Sequence, residues 1–490
     1  MQPTSALRLG KSIVRIGPFA LALLLVTASS SGQTTDYPRI LSEPGALYNA
    51  RAMGMGDAYS TIGYDYSAVR FNPATLAVAD SFTFSMAVNY NAYPNSAEYQ
   101  QTKTPFTTSN TSLNQFGITI PVSKISRRAV IALGYTQSKD FNRNLKFGGY
   151  NSSSSTLIQD LTVGGSTLPG RLGLSYPGAD PSAPNQTILT GNLQQSGYIL
   201  ESGSMLQFSL GASTETATNV FVGASFNYTY GTLMSDREFR EVDTNNVYGS
   251  GVRTVPSDPT TADFQSFYMH DVRDASFKGV DFKVGLLYKF YNFISIGASF
   301  KIPTPHSVSE DRTVQGSSMF ASGTRTARDP MQTLSYTVTP AYEATVGAAV
   351  NLWFLTATAE ATFIDYTQMS YKSGPDVLEL GLLNKNIAEN YARVLNLNGG
   401  AELRIPFTGL IARAGFMYRP SPYKNDGAEF DRKYLTLGAG INSSGFLSFD
   451  LAYGYGWWQE RYRGSGTTFE GVTQNIQVHD ILATIKVTFP

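Results

Sequence analysis

The chain has 490 residues, and 37 Lys+Arg balance 37 Asp+Glu to a formal net charge of zero, which excludes the basic excess a nucleic-acid binder needs. Only 15% of residues are charged, whereas Gly (45), Tyr (29) and Phe (29) are abundant, a composition suited to β-structure facing an apolar medium. There is no cysteine, so disulfides, thiolate metal sites and a lipid-modified cysteine are excluded.

The N-terminus reads as an export signal over residues 1–32. Arg8, Lys11 and Arg15 form a positive start, Ile16 to Ala28 is an apolar run too short to span a bilayer, and Ser29 to Gly32 supplies small residues for cleavage. No later stretch approaches the ~20 apolar residues of a spanning helix.

Residues 33–80 follow as a compact segment, a hatch too small to bury a core of its own. Within it, Asn49 to Ala77 reads as two short helical pieces joined at turns, with Met53, Ala58, Ile62, Val69 and Leu76 as apolar contacts. Gly54, Gly56 and Gly63 allow close backbone approach. Asn72 and Pro73 form a cap and first helical position, followed by Ala74. Arg51, Asp57 and Asp65 are expected to pair with charges on whatever encloses the segment.

From residue 81 to 490, period-2 alternation begins and hardly stops. Phe82, Phe84, Met86, Val88 and Tyr90 alternate with Thr83, Ser85, Ala87 and Asn89. The pattern returns at Val220–Tyr230, at Leu447–Trp457 and at Ile481–Phe489. A soluble sandwich also alternates, but three features favour a membrane barrel. The polar face carries isolated charges that a wide polar lumen tolerates, among them Asp281, Lys283, Glu360, Glu402, Arg404 and Arg413. Aromatics such as Tyr228, Tyr288 and Trp457 gather at segment ends. Short connections (Ser123–Arg127, Pro406–Thr408) alternate with long ones (Phe141–Glu201, Thr232–Ala275), the asymmetry of periplasmic turns and outer loops. The fold class is therefore all-β, a transmembrane antiparallel β-barrel of about fourteen strands. Segments start near Phe82, Leu113, Arg128, Ser204, Val220, Phe277, Phe293, Leu334, Leu352, Tyr391, Leu410, Lys433, Phe446 and Ile476. A barrel that wide needs filling, and the hatch is the natural plug.

The run ARAMGMGDAYSTIGYDYSAVRFNPATLA, with its Asn-Pro-Ala at Asn72, Pro73 and Ala74, resembles the hatch of FadL-type outer-membrane transporters of fatty acids and aromatic hydrocarbons. Looser matches lie at Gly134-Tyr135 with Asp140-Phe141-Asn142, and at Asn425–Gly440, which resembles members from Bacteroidetes-like bacteria. The resemblance implies a fourteen-stranded barrel plugged by the hatch, capture of an apolar ligand outside the cell, and passage through the wall. It departs from the pattern at the end, where Phe489 is penultimate to Pro490.

No catalytic set is present: no G-x-S-x-G elbow, no H-E-x-x-H, and Gly54-Met55-Gly56 is not a dinucleotide fingerprint. His270 and His306 in outer loops and His479 at a strand start share no ligand spacing, so no metal, cofactor or enzymatic activity is expected. Binding is the better class. The second long loop carries Leu157, Ile158, Leu161, Leu172, Leu174, Ile188 and Leu189, apolar content that either forms a capture groove or packs the loop on itself. A carboxylate head would want Arg171 in that loop, or Lys283, Arg404 and Arg413 in the lumen, whose other role is pairing with Asp281, Glu360 and Glu402. The expected function is passive uptake of hydrophobic small molecules across the outer membrane of a Gram-negative bacterium. The expected partners are that ligand, outer-membrane lipid and the barrel assembly machinery, with the chain acting as a monomer. The alternatives are a non-transport scaffold or adhesion/secretion partner, and a general porin.

Overall fold

The structure, a computed structural model, describes residues 36–489 except 46–47, 123–127, 179, 181–182, 292, 375–376, 444 and 463–470. The export signal, the start of the hatch segment, the first short turn and Pro490 lie outside the described residues.

Nineteen strand segments form one sheet. They are β1 (Phe82–Tyr99), β2 (Thr102–Pro121), β3 (Ala129–Asp140), β4 (Arg143–Asn151), β5 (Leu193–Ala217), β6 (Val220–Val242), β7 (Phe264–Phe290), β8 (Ile294–Pro303), β9 (His306–Phe320), β10 (Gly323–Arg328), β11 (Gln332–Thr339), β12 (Glu343–Leu352), β13 (Leu355–Asp365), β14 (Ser370–Ser373), β15 (Arg393–Arg404), β16 (Leu410–Arg419), β17 (Arg432–Ser443), β18 (Leu447–Arg461) and β19 (Thr473–Phe489). β1 pairs antiparallel with both β2 and β19, so the sheet closes on itself. Fourteen strands make the ring. β4, β9, β11 and β14 continue ring strands beyond a break, sharing a neighbour with β3, β8, β12 and β13 or with one another's continuation. β10 folds back on β9 as an outer hairpin.

The burial pattern is inside-out relative to a soluble protein. Outward side chains are large and apolar, as at Leu437 (62% exposed), Val346 (59%) and Leu133 (53%). Inward ones are polar and covered, as at Asn227 (2%) and Lys283 (3%). This is the distribution of a transmembrane barrel, which closes every edge and faces lipid with every second residue. Among the described residues no helix is long and apolar enough to cross a membrane. Tyr291, Trp353 and Phe407 stand exposed at the tips of short turns, where aromatic rings suit a membrane interface.

Several strands run far past the ~9–11 residues that a tilted crossing needs: β5 has 25, β6 has 23 and β7 has 27. Their upper halves leave the bilayer and, with β4 and the short helices Leu157–Val163 and Leu168–Arg171, build a cap over the wide mouth. The cap has its own apolar core, including Phe147, Leu168, Leu172, Phe239, Phe267 and Phe320. The sequence places Thr102–Thr111, Leu193–Glu201 and Phe264–Ala275 in loops, with His270 and His306 in loops too. The structure corrects this: all are strand, and His270 and His306 lie on β7 and β9.

Candidate functional site

Three parts meet in the lumen: a buried N-terminal segment, a polar chamber and an interruption in the wall.

The N-terminal segment comprises two helical turns, Ala50–Gly54 and Ala68–Phe71, and a 3-10 turn at Pro73–Val78. Asn49 caps the first, accepting the Ala52 N–H at 2.7 Å. Asn72 caps the last, accepting the Ala74 N–H at 3.1 Å with Pro73 in the first position, as the sequence implied. The first turn packs on β16–β19 and the last on β5–β7, so the segment reaches opposite sides of the ring. It approaches the wall backbone to backbone. A Cβ on Gly415 would lie 2.2 Å from Gly56 N, one on Gly400 2.2 Å from Met55 O and one on Gly223 2.5 Å from Pro73 C, while one on Gly285 would lie 2.0 Å from the side-chain Oδ1 of the Asn72 cap. Gly56 itself has φ +61 and so needs glycine twice over.

Charge pairs hold the same contact. Arg51 Nε donates to Glu402 Oε2 at 2.8 Å, and Arg413 Nε donates to the same oxygen at 2.8 Å. Arg413 Nη1 reaches Asp450 at 2.7 Å. Arg419 holds Asp57 at 3.1 Å, and Glu343 takes Arg70 at 3.2 Å and Lys283 at 2.7 Å. The expected pairing of Arg51 and Asp57 with lumen charges is therefore present. Asp65 departs from it: its carboxylate accepts the N–H of Ser67 at 3.0 Å and the Ser67 hydroxyl, a local turn rather than a tie to the wall. Arg404 joins Glu402 at 3.3 Å, Asp281 lies 3.8 Å from Lys301, and Glu360 accepts the Ser60 N–H at 2.9 Å. The proposed head-group cations Lys283, Arg404 and Arg413 are thus engaged within the protein.

The apolar loop residues also find protein partners. Leu157, Ile158, Leu172, Leu174 and Leu189 are buried in the cap core, with Leu161 and Ile188 packed against it. Of the two readings of this loop, these side chains fit self-packing, since five are buried in the cap core and the other two pack against it. Arg171 is held by Asp329 and by the Arg328 carbonyl at 2.9 Å. The sequence missed Glu241, whose carboxylate sits among these residues and accepts the N–H groups of Leu157 at 2.8 Å and Ile158 at 3.3 Å and the Gln195 side chain at 2.6 Å. Burial pushes its carboxyl up to about 7. Because Leu172 is fully covered, Leu172→Ala is expected to cost about 2–5 kcal/mol of cap stability. Hydrogen exchange across residues 145–200 should quicken while the lower barrel stays protected; unchanged exchange in the cap would refute the packing account.

Between cap and N-terminal segment lies a chamber of about 220 Å³, lined from β1 to β4 on one side and β16 to β19 on the other. Beside it the wall is interrupted. β2 and β3 pair only from Pro121↔Val130 to Gln115↔Thr136. Past that point β2 bonds β1 alone and Lys139–Asp140 bond β5 alone. Register shifts sit at the break, opposite Asn114 on β2 and at Ser138 on β3, and such bulges turn strands apart. Higher up, Tyr99 meets Phe147 of β4 at 5.5 Å between ring centroids and closes the window. Across it, Asp140 Oδ2 accepts from Asn110 Nδ2 at 2.7 Å and from Asn91 Nδ2 at 3.2 Å. Residues 43–45 back the window from inside: a Cβ on Gly45 would strike the Ser138 carbonyl at 1.6 Å, and Lys139 Nζ donates to the Glu43 carbonyl. The break begins about six residues above the short-turn end of β2, within the ~9–11 residues of a crossing.

On the outer face, Asp236, Glu238 and His270 bring possible ligand atoms within 4.8 Å of one another. Their juxtaposition comes from the β6–β7 register, Glu238 opposite His270, which no sequence spacing reveals.

No family model matches the chain, and no curated protein matches it. Solved structures do. The P. putida toluene transporter TodX superposes with a TM-score of 0.52 at 15% identity, over 91% of this chain and 99% of that one. A Pseudomonas aeruginosa FadL homologue gives a TM-score of 0.52 at 14% identity, over 91% and 99%. The closed ring, the segment seated inside it and this superposition over nearly the whole of both chains give the protein the fold of the FadL-type channels.

Proposed function

We propose that the protein is a passive outer-membrane channel for hydrophobic small molecules, with the N-terminal segment as its plug and the β2/β3 window as its lateral exit. The observation that carries this reading is the unpaired stretch of wall beside the chamber, at bilayer depth. A closed barrel satisfies its backbone groups by pairing, and a lapse in that pairing at membrane depth is tolerated only where the groups are buried in protein or line a water-filled cavity, as beside this chamber. A molecule leaving through the window enters the membrane without crossing the hydrophobic band through water. The window's outer surroundings, Tyr90, Leu113 and Phe116, are exposed apolar groups, which suit delivery into lipid. The route needs no cofactor and no energy source, since partition into hydrocarbon is favourable by ~0.8 kcal/mol per buried CH₂.

The superposed relatives named as a toluene transporter and a FadL homologue support the same direction. Accumulation of labelled toluene and labelled long-chain fatty acid by a deletion strain, with and without the gene restored, tests it. Uptake of at least one should drop on deletion and return on restoration. Undiminished uptake of both would leave a scaffold or adhesion role in its place.

A further inference from the structure

The lining of the chamber says what kind of molecule it accepts, given the channel reading above. Six asparagines face it: Asn89, Asn91, Asn95, Asn114, Asn142 and Asn144. Apolar cavities stay dry, whereas cavities lined by polar groups hold ordered water. A ligand that displaces ordered water without replacing its hydrogen bonds loses affinity. A bare hydrocarbon makes no such bonds, so it binds this lining less tightly than a ring that carries hydroxyls.

Charge narrows the class further. Five cationic side chains and five carboxylates line the chamber, and the cations are already engaged. Arg143 pairs with Glu201 and with Glu460 at 3.4 Å. Arg39 and Arg432 share Glu43 at 2.6 and 3.1 Å, Arg419 holds Asp57, and Lys139 donates to the Glu43 carbonyl. An incoming carboxylate would add an uncompensated charge to a balanced, partly desolvated set. Size is compatible with a small ring. An apolar cavity of about 150 Å³ binds benzene, so a chamber of about 220 Å³ has room for one ring with substituents. Tyr93, Tyr434 and Trp458 in the lining offer faces and edges to such a ring.

We propose that the chamber binds an uncharged single-ring molecule bearing hydroxyl groups, in preference to either the bare hydrocarbon or the corresponding acid. The hydroxyls bond the asparagine amides and the ring takes the aromatic wall.

The test is calorimetry on the full chain in lipid nanodiscs, with empty nanodiscs subtracted, using catechol, toluene and benzoate as probes. Catechol is expected to bind about tenfold tighter than either of the others. In Asn89→Leu/Asn144→Leu the advantage should vanish, and the heat-dependent gel mobility of the folded barrel reports whether that variant is intact. Toluene or benzoate binding as tightly as catechol in the wild type would overturn the proposal whether or not the variant folds. Catechol binding unchanged in a folded variant would overturn it too. The transport reading fails separately: it falls if uptake ignores the gene's deletion, and that result leaves the binding order untouched.

Discussion

Cysteines placed at Asn110 and Asp140, joined by a short thiol-reactive bridge, are expected to cut uptake at least about tenfold, a barrier increase of ~1.4 kcal/mol or more. These side chains already touch, Asn110 Nδ2 to Asp140 Oδ2 at 2.7 Å, so a bridge of a few ångströms spans them without moving either strand. The wild-type chain has no cysteine, and the bridge therefore forms at one place. What it fixes is the side-chain contact spanning a stretch where β2 and β3 exchange no backbone bonds. If this stretch is the exit, its two edges must separate for a molecule to leave, and a covalent tie prevents that. A cleavable linker gives the control, because reduction should restore uptake in the same sample. Full uptake with the bridge demonstrably in place would move the exit from the wall to the plug.

Glu402→Ala is the second large effect. Its carboxylate accepts from Arg51 on the plug and Arg413 on the wall, each at 2.8 Å, and it is almost fully covered. Removing one member of such a set strands the buried charges that remain and costs about 3–5 kcal/mol. Here the loss falls on the joint between plug and ring, because Arg413 keeps Asp450 at 2.7 Å whereas Arg51 loses its carboxylate partner. Single-channel recording should show more frequent open events, and protease added from the short-turn side should reach residues 49–78. The matched control is Arg404→Ala. Arg404 also contacts Glu402, but its side chain is 58% exposed, and exposed pairs contribute only ~0–1 kcal/mol. Conductance and protection that match wild type in Glu402→Ala would deny that this cluster retains the plug.

The wall was legible because lipid contact enforces a strict period of two. Strand starts read at Phe82, Val220 and Leu410 coincide with the observed ones, and the alternating side chains divide between lipid and lumen as read. Legibility failed above the bilayer. There one face meets water and the other meets the cap core, so β2, β5 and β7 continue without the apolar contrast that marks a crossing. The apolar run Leu157 to Leu189 was visible, but whether it opened as a groove or closed as a core depended on partners such as Phe239 and Phe267, which lie far off in sequence. The window was invisible for another reason. Its defining property is missing backbone pairing, and side-chain pattern carries no record of that. Gly134 lies on β3 below the break, where the Tyr66 ring approaches it.

Where the plug's main chain rests on wall glycines, there is no room left for even a methyl group. At those points the two parts fit by the path of the chain, and the Arg51–Glu402 and Asp57–Arg419 pairs add charge to that fit. A foreign insert sharing that path and those charges would seat in this ring, whereas alanine at Gly415 or Gly400 would drive a methyl into the native segment's backbone. Exchange of whole inserts between such barrels is thus a gentler alteration than a single added carbon.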